Sequence, residues 1–335
     1  MRKARITACG SGYYHCMSRI IERRQLLNDG EKEVLRNLMR KLEGFSGVKI
    51  LTYSILSNHW HMLLYIPPRQ DISDDELLRR LAFIYDQSIV DLTATTIKDL
   101  RAQGQYAAAE EVKKRYTYRM YNLSQFFKTL KQRFSMHYNR KMGRNGPLWE
   151  QRFKSILVEG SEHALSTIAA YIDLNSVRAD IVQDPKDYRY CGYAEALGNN
   201  SAARYGLQMV MQSLGTDTSW ERARDMYRKL LYIQGQEKGL DAEGKPITCG
   251  FSRAQVEEVL RTGGKLPLYV ILRCRIRYFS DGLALGSREF TEHVFGKYRD
   301  QFGSRRKTGA RPMKYGNWGN LFTLRDLRMD PVSTS

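Results

Sequence analysis

Residues 56–66 have the sequence Leu56-Ser57-Asn58-His59-Trp60-His61-Met62-Leu63-Leu64-Tyr65-Ile66, an apolar run that carries two histidines. A second strand-like run, 48–55, precedes it, and the turn residues Ser57-Asn58 separate the two, which predicts a β-hairpin. Side chains alternate between the faces of a strand, so His59 and His61 point to one face and Trp60 to the other. Two imidazoles on one face can share a divalent cation, although such pairs are more often packed or solvated. The motif therefore needs partners elsewhere in the chain.

Charge is the most informative bulk property of the chain. Its 335 residues include 54 Lys and Arg against 36 Asp and Glu, which gives a formal net charge of +18. An excess of this size favours a polyanionic partner, because neutralised phosphates release their counterions. Nucleic acid is the leading candidate, and an anionic membrane surface is the weaker one because no basic amphipathic helix stands out at a terminus.

Composition also indicates the cellular compartment of the protein and the redox state of its cysteines. The hydrophobic share of 42% excludes wholesale disorder. No apolar run is long enough to span a membrane, and residues 1–7 lack the apolar core of a secretory signal, so we expect a soluble cytoplasmic protein without a membrane partner. The five cysteines are widely spaced without a Cys-x-x-Cys motif. They indicate reduced thiols, with neither a disulfide framework nor a structural zinc site.

The first 66 residues predict the order strand, helix, strand, strand. A strand covers 13–21, and a helix runs from Glu31 to about Leu42 before the hairpin. This is the beginning of a split βαβ, ferredoxin-like sandwich. The fold class is therefore α+β, an antiparallel sheet with helices on one or both faces.

The next segment, about 70–121, reads as a helical insertion. Ser73 and Glu76 form a capping box ahead of an apolar stripe, and an alanine-rich helix is predicted from Ile97 to Tyr116. A core-facing helix then covers Asn122 to about Tyr138, since its apolar residues recur at helical spacing.

Residues 113–154 are strongly basic and rich in aromatic side chains. They contain twelve Lys or Arg and one acidic residue, Glu150. Basic groups can follow a phosphate backbone while exposed aromatics stack on unpaired bases, as single-stranded nucleic-acid binding requires. Several of the aromatics belong to the core on their spacing, and for Trp149 and Tyr138 both interpretations stand. A turn at 143–147 leads to a strand at 152–158.

A further helix is expected from Ser161 to about Asn175. Tyr171 and Asn175 are four residues apart and share a helix face, so the phenol and the carboxamide project together. Asp173 faces away from them. A tyrosine in a helix is usually a packing residue, and the spacing alone assigns it no role.

Taken in order, three segments resemble single-tyrosine HUH transposases, and most of all the REP-associated tyrosine transposases. They are His59-Trp60-His61 on a strand, the segment 146–154, and the segment 171–179 with the following 184–188. The resemblance covers about residues 10–195. The family often has Asn-Pro after the tyrosine, where this chain has Asn175-Ser176, and the helices of 70–121 look like an insertion.

The resemblance implies a ferredoxin-like HUH core that holds one Mg²⁺ or Mn²⁺ beside a nucleophilic tyrosine. Carried over by position, His59 and His61 are metal ligands, Asn175 is the third ligand, and Tyr171 is the nucleophile. The expected product is a 5′-phosphotyrosine with a free 3′-OH, an ester from which strands can be rejoined. Six residues of the basic aromatic segment are expected to bind DNA: Trp149, Arg152, Lys154, Arg144, Lys131 and Arg133.

Residues 200–335 are predicted to form a mainly helical, basic region separate from the domain of residues 10–195. Helices are expected at 253–261 after Ser252, from Leu268 to Phe279, and from Ser287 to Tyr298. Three short helices allow a helix-turn-helix interpretation, and a packing domain without DNA contact is an equal alternative. The basic segment 297–314 has the composition of a flexible phosphate-binding arm.

The sequence thus predicts a transposase-like endonuclease and strand transferase that acts on single-stranded DNA with a hairpin or palindromic repeat, as a monomer or homodimer. Two alternatives remain. One is a relaxase or replication-initiator nickase with the same chemistry. The other is a non-catalytic nucleic-acid-binding protein on a ferredoxin-like fold.

Overall fold

A computed structural model provides the structure of the protein. It describes residues 5–8, 10–212, 219–232, 237–240, 246–248, 258, 259, 261, 262, 264–325 and 331–333. Within these ranges no helix combines the length and the apolar character needed to cross a membrane.

The N-terminal part folds in the order expected from its patterns. Strand β1 covers Gly12–Arg19, helix α1 covers Asp29–Ser46, and strands β2 and β3 cover Lys49–Ile55 and His59–Ile66. The side chain of Asn28 caps α1 by accepting from the backbone N–H of Glu31. The helix ends at Gly47, whose φ of +73° is a left-handed conformation that glycine adopts without strain because it lacks a Cβ.

The predicted hairpin is confirmed and places its histidine strand inside the sheet. Strand β3 pairs antiparallel with β2 on one side and with β1 on the other. Strand β4, Lys154–Val158, pairs antiparallel with the free edge of β1. The resulting strand order β2-β3-β1-β4 is that of a ferredoxin-like sheet, so the predicted α+β fold class is confirmed.

Three helices occupy the segment predicted as a helical insertion. They are α2, Asp74–Leu81; α3, Gln87–Ala102; and α4, Tyr106–Thr117. Ser73 caps α2 as expected. The single helix predicted from Ile97 to Tyr116 is wrong, because the chain turns at Gly104, which has a φ of +72°.

Helices cover both faces of the sheet. Helix α5, Leu123–Lys141, packs on one face, where the ring of Phe127 stacks on Trp60 of β3 at 5.0 Å between centroids. Helix α6, Glu162–Asp173, lies on the opposite face, where Tyr171 meets the edge of His61 at 6.2 Å. Because successive side chains of β3 point to opposite faces of the sheet, Trp60 lies in an apolar layer and the two histidines lie in the other layer.

Beyond α6, the described chain up to residue 232 continues as four further α-helices. They are α7, Asn175–Arg178; α8, Gly192–Leu197; α9, Ser201–Gln212; and α10, Trp220–Tyr232. Helix α9 lies directly against β2: a Cβ on Gly206 would come within 2.6 Å of the carbonyl oxygens of Ile50 and Leu51.

Further strands extend the sheet beyond β4. Strands β5, Glu237–Leu240, and β6, Pro246–Thr248, form a separate pair. Strand β7, Arg275–Ile276, pairs with β11, Val332–Ser333. Strand β8, Ala284–Gly286, pairs parallel with β4. The sheet continues from β8 through β10, Phe322–Thr323, to β9, Arg311–Pro312. The chain beyond residue 200 therefore adds both helices and strands, and the division at 195–200 stays a prediction.

Two expectations for this region need correction. The helix predicted from Leu268 to Phe279 is instead two single turns, α11, Leu268–Ile271, and α12, Tyr278–Asp281, with β7 between them. Strand β8 then separates α12 from α13, Arg288–Lys297, so these elements do not form a helix-turn-helix. Ser287 caps α13 as predicted. The helix expected after Ser252 lies mostly outside the described residues.

The basic segment 297–314 is folded, which overturns the expectation of a flexible arm. The Arg299 guanidinium donates to the carbonyls of Phe302, Gly303 and Ser304. The Arg306 guanidinium donates to backbone carbonyls as well, including that of Gly309 at 2.9 Å. These cations stabilise their own loop.

Substitution of Gly206 by alanine tests the contact of α9 with the sheet. The new methyl would overlap backbone oxygens, so we expect Gly206→Ala to lower the free energy of unfolding by about 1–3 kcal/mol in spite of the higher helix propensity of alanine. Gly296→Ala is the control, since a Cβ there meets nothing within 4 Å. The control should gain up to about 1 kcal/mol. Urea denaturation measures both, and equal effects would contradict the close packing of α9.

Candidate active site

A basic pocket of about 560 Å³ opens on the histidine face of the sheet. Seven of the residues that line it are basic, and two, Glu150 and Asp281, are acidic. The basic lining residues are Arg19, Arg23, Arg152, Lys154, Arg178, Arg275 and Arg277. This excess attracts a polyanion and disfavours a cationic ligand.

His59 and His61 both line the pocket from β3. Their ring centroids are 5.3 Å apart, as expected for alternate residues on one face of a strand. The Nδ1 of His59 lies 2.6 Å from Oδ1 of Asn58, which fixes the ring and leaves Nε2 facing away from the turn. Such a hydrogen bond is how a second residue orients a ligating imidazole.

His15 of β1 lies behind this pair. Its side chain is fully buried, and its Nε2 is 2.9 Å from Nδ1 of His61. Burial, with the nearby Arg178 guanidinium, lowers the pKa of His15 to about 3. Burial and neighbouring cations also lower the pKa of His59 to about 4 and hold that of His61 well below its usual value. The three rings are therefore neutral at pH 7.

Tyr171 reaches the same pocket from α6. Its ring lies edge-on to His61 and His15, with centroids at 6.2 and 6.3 Å. Phe279 packs against it at 4.9 Å from the C-terminal part of the chain. The side chain of Tyr171 is only 4% exposed, so the phenol sits in a largely desolvated position.

Asn175 and Arg178 connect the tyrosine to the histidines. Helix α6 ends at Asp173, and α7 begins at Asn175. The backbone stays nearly helical between them, because the Leu174 N–H donates to the carbonyl of Ala170 and the Arg178 N–H to that of Leu174. The predicted common face of Tyr171 and Asn175 is therefore preserved at the pocket. The Asn175 Nδ2 is 3.3 Å from Nε2 of His59.

The Arg178 guanidinium bridges two of the predicted site residues. Its carbon lies 3.8 Å from the ring centre of Tyr171, within the range of a cation–π interaction. One nitrogen donates to Oδ1 of Asn175 at 3.1 Å, and another donates to the carbonyl of Leu272 at 2.9 Å. Arg178 thus places a fixed positive charge beside the phenol.

Asp173 faces away from the pocket, as predicted, and anchors α6 to the rest of the fold. Its fully buried carboxyl accepts from the hydroxyls of Thr52 and Tyr227 and from the backbone N–H of Tyr193. Burial raises the pKa of Asp173 to about 7. The helix that carries Tyr171 is therefore held to β2, α8 and α10 by one side chain.

The residues predicted to bind DNA divide into two groups. Arg152 and Lys154 line the pocket, and the Lys154 ammonium pairs with Asp281 at 2.6 Å. The other four are not among its lining residues. Arg144 donates to the carbonyl of Pro147, and Arg133 to that of Ile84.

Trp149 and Lys131 are occupied by contacts within the fold. The Trp149 indole donates to Ser135 at 2.9 Å, and its ring packs against Trp60 and Phe134. The Lys131 ammonium donates to the carbonyl of Gln151 at 2.6 Å, and burial lowers its pKa to about 8. These contacts favour a structural role for both side chains over a free stacking or phosphate-binding surface.

The donor types suit a divalent ion, although the Asn175 Oδ1 accepts from Arg178 and its Nδ2 faces His59. Two neutral imidazoles and one amide converge at the pocket, and the two imidazoles supply the nitrogen donors that suit transition metals. Among the described residues no group of three or more His, Cys, Asp or Glu is placed to hold a metal. The remaining ligands would have to be water or substrate oxygens.

Two site residues were missed in the sequence. His15 carries no sequence signal for a role at the site, because no local pattern places β1 beside β3. Arg178 had a usable signal: it is seven residues after Tyr171, a spacing that returns to the same helix face.

Comparison with known proteins gives a family match for the N-terminal part of the chain. Residues 9–94 match a family model described as "Transposase IS200 like". The matched segment contains β1, α1 and the histidine strand, so the predicted resemblance to transposases is confirmed over that part of the chain.

One solved structure that the chain resembles is described as "Structure of the REP associates tyrosine transposase bound to a REP hairpin". The two chains are 15% identical, with a TM-score of 0.37, over 61% of this chain and 90% of the other. No curated protein matches the chain.

The buried histidines make stability depend on pH in the metal-free protein. Unfolded histidine binds a proton near pH 6.5, whereas folded His15 and His59 do so only near pH 3 and 4, so acid favours unfolding between about pH 6.5 and 4. Asp173 acts in the opposite direction, because its folded pKa of about 7 lies above the unfolded value. With three histidines against one carboxyl, we expect the free energy of unfolding to fall as the pH is lowered.

His15→Gln isolates one of these contributions. Between pH 6.5 and 5 in EDTA, the free energy of unfolding of this variant should fall less steeply as the pH is lowered than that of the native protein. The difference in slope should be up to about 1.4 kcal/mol per pH unit. The control His293→Gln changes an exposed histidine and should keep the native slope. Equal slopes in all three proteins would show that His15 is not held neutral by burial.

Proposed function

We propose that this protein is a transposase-like DNA endonuclease and strand transferase with Tyr171 as its nucleophile. The observation that carries the proposal is the convergence of Tyr171, His59, His61 and Asn175 in one basic pocket, although the tyrosine and the first histidine are far apart in the sequence.

In the proposed step the phenol oxygen of Tyr171 attacks the phosphorus of a DNA phosphodiester. The new bond joins that oxygen to phosphorus, the bond from phosphorus to the 3′-oxygen breaks, and the 3′-oxygen leaves as a hydroxyl after gaining a proton. The phenol proton passes to solvent or to a base at the pocket. The 5′-phosphotyrosine keeps the energy of the ester, so attack by a 3′-OH reverses the step and rejoins strands.

The residues around the phenol have separate tasks in this step. Arg178 lies against the ring face and favours the negative charge that develops on the phenol oxygen. Arg152 and Lys154 supply charge at the pocket for neighbouring phosphates of the strand. Phe279 packs against the ring of Tyr171 and limits its movement.

His59, His61 and Asn175 would hold the divalent ion, Mg²⁺ or Mn²⁺. When bound, such an ion polarises the phosphoryl oxygen and offsets its negative charge. The three side chains are neutral, so they leave the charge of the ion available to an anionic substrate.

The proposed substrate is single-stranded DNA next to a hairpin or palindromic repeat. The basic excess of the pocket supports a strand rather than a single nucleotide, because seven basic side chains line it and a strand carries several phosphates. A relaxase or initiator nickase would use the same chemistry, and rejoining of cleaved strands distinguishes a strand transferase from a simple nickase.

A non-catalytic DNA-binding protein is the second candidate. It is favoured by the low exposure of Tyr171, whose ring lies beneath Phe279. The two candidates differ in one measurable property, covalent capture of DNA.

Tyr171→Phe tests the nucleophile. With labelled hairpin oligonucleotides and Mn²⁺, the native protein should form an adduct that survives a denaturing gel, and the variant should form none, because only the attacking hydroxyl is lost. DNA affinity should change by less than about twofold, or 0.4 kcal/mol. Tyr205→Phe, an exposed tyrosine of α9, is the control. Adducts formed by Tyr171→Phe would exclude this assignment, and no adduct from the native protein would favour the second candidate.

Calorimetric titration with Mn²⁺ tests the proposed ligands without any cleavage. His59→Ala and His61→Ala should each weaken Mn²⁺ binding at least about tenfold, or 1.4 kcal/mol, because each removes one of three donors. His293→Ala should bind Mn²⁺ like the native protein, since that histidine is exposed on α13. Native affinity in the first two variants would mean that the histidine pair is structural.

A further inference from the structure

Three arginines from separate parts of the chain lie beside His59. One is Arg19, the last residue of β1, which is directly opposite His59 in the pairing with β3, so their Cβ atoms are about 5 Å apart. Another is Arg23, which ends a short 3₁₀ turn. The third is Arg275, the first residue of β7. All three line the candidate pocket, and we call them the arginine cluster.

The positive charges of the cluster act on one another. Burial lowers the pKa of Arg19, and the charges of Arg23 and Arg275 lower it further. Glu150 and Asp281 act in the opposite direction, yet the pKa of Arg19 stays below its ordinary value. Within the described ranges, no hydrogen bond or ion pair engages any of the three guanidinium groups. An anion bound among them would relieve this repulsion and supply the acceptors that the N–H groups lack.

The backbone at Arg23 is held in an unusual conformation next to the pocket. Glu22 and Arg23 both have a φ of +56°, in the left-handed region that residues with a Cβ rarely adopt. Asn58 contacts this turn, because its Nδ2 donates to the carbonyl of Arg23 at 3.1 Å. Its Oδ1 lies 2.6 Å from Nδ1 of His59. One amide therefore positions both Arg23 and His59, and backbone strain of this kind is concentrated at functional sites.

Strand β7 brings the C-terminal part of the chain to the same pocket. Its antiparallel pairing with β11 fixes its orientation. Ile276 is fully buried, whereas Arg275 is exposed, as expected for successive residues of a strand. Arg277, the residue after β7, also lines the pocket. The C-terminal part thus supplies two of the seven basic side chains of the pocket.

We propose that the arginine cluster binds one backbone phosphate of single-stranded DNA, the phosphate next to the one that Tyr171 attacks. The proposal rests on the proposed function and adds to it a positioning role for Arg275. This residue holds the strand in register with the phenol and takes no part in the chemical step. The C-terminal part of the chain thereby becomes a component of the DNA-binding site.

The location of the cluster selects the neighbouring phosphate over the attacked one. The ring of Tyr171 lies against His61 and against Arg178, which already provides a positive charge at the phenol. Arg19 lies opposite His59, two residues along β3 from His61, and two residues of a strand span about 7 Å. A phosphate at Tyr171 and a phosphate at the cluster therefore occupy separate positions along one strand.

Guanidinium groups suit a phosphodiester as ligand. Each presents N–H donors in a planar fork that matches two phosphate oxygens. A free phosphate ion offers the same oxygens, but four further basic side chains line the pocket of about 560 Å³. A strand with several phosphates can engage these as well, so DNA fits the charge of the whole pocket better than a single ion does.

A double-mutant cycle between protein and DNA tests the contact. The hairpin oligonucleotides of the Tyr171→Phe experiment each receive one neutral methylphosphonate in place of a phosphate, at successive positions around the cleavage point that the native protein defines. Fluorescence anisotropy in EDTA, where binding is measured without cleavage, compares the native protein with Arg275→Gln. Arg275→Lys keeps the charge. Arg222→Gln, which removes an exposed arginine of α10 outside the pocket, is the control.

At the phosphate next to the attacked one, the methylphosphonate should weaken binding to the native protein about fivefold or more. It should weaken binding to Arg275→Gln by less than about twofold, because that variant has already lost the contact. On unmodified DNA, the slope of log affinity against log salt should be smaller in size by about 0.7 in Arg275→Gln, the value for one phosphate contact of a single strand. Arg275→Lys should keep the native slope, and Arg222→Gln should show the native loss at every position.

Two results would overturn the proposal and leave Tyr171 as the nucleophile. Equal losses in the native protein and in Arg275→Gln at every position would remove Arg275 as a phosphate contact. Coupling at the attacked phosphate alone would place the cluster at the reaction centre instead of beside it. A native protein that forms no covalent adduct would defeat the proposed function, and the positioning role with it, whatever the affinities.

Discussion

The two-residue alternation of β3 is the constraint on which the structure depends. Trp60 is fully buried against Phe127 on one face, and that stack fixes which face the neighbouring histidines occupy. A shift of one residue in the pairing with β1 or β2 would exchange the faces and bury the imidazoles in the apolar layer. Because β3 pairs on both sides, such a shift would break two ladders at once. The core and the site are thus specified by one register.

The positive potential of the site and the low pKa values of its histidines have one cause: buried imidazoles lie among fixed guanidinium groups. Burial and nearby cations such as Arg19 and Arg178 lower the pKa values of the histidines, so the rings keep lone pairs available at pH 7. Arg178 combines three contacts, with the Tyr171 ring, Asn175 and the carbonyl of Leu272. The position of the phenol therefore depends on a guanidinium that is itself held by the C-terminal part of the chain.

Described residues after 200 contact the elements that carry the candidate site. Tyr227 of α10 donates to Asp173 on the helix that carries Tyr171, and β8 continues the sheet next to β4. Phe279 covers the tyrosine ring. Exposure of the phenol to DNA is consequently linked to how the C-terminal elements pack, in addition to the local conformation of α6.

The sequence by itself determined the strand–helix–hairpin order, the common face of His59 and His61, and the common face of Tyr171 and Asn175. Side chains alternate faces every second residue in a strand and return to one face about every 3.6 residues in a helix, so a few neighbouring residues are enough to fix these faces. The sequence did not place His15 beside His61, since the pairing of β1 with β3 joins residues 46 apart. The break at Gly104, the split of 268–279 into single turns and the folded 297–314 loop also came from the tertiary structure. For the single turns of 268–279, the pairing of β7 with β11 outweighed local propensity, as expected where short segments gain most of their stability from packing.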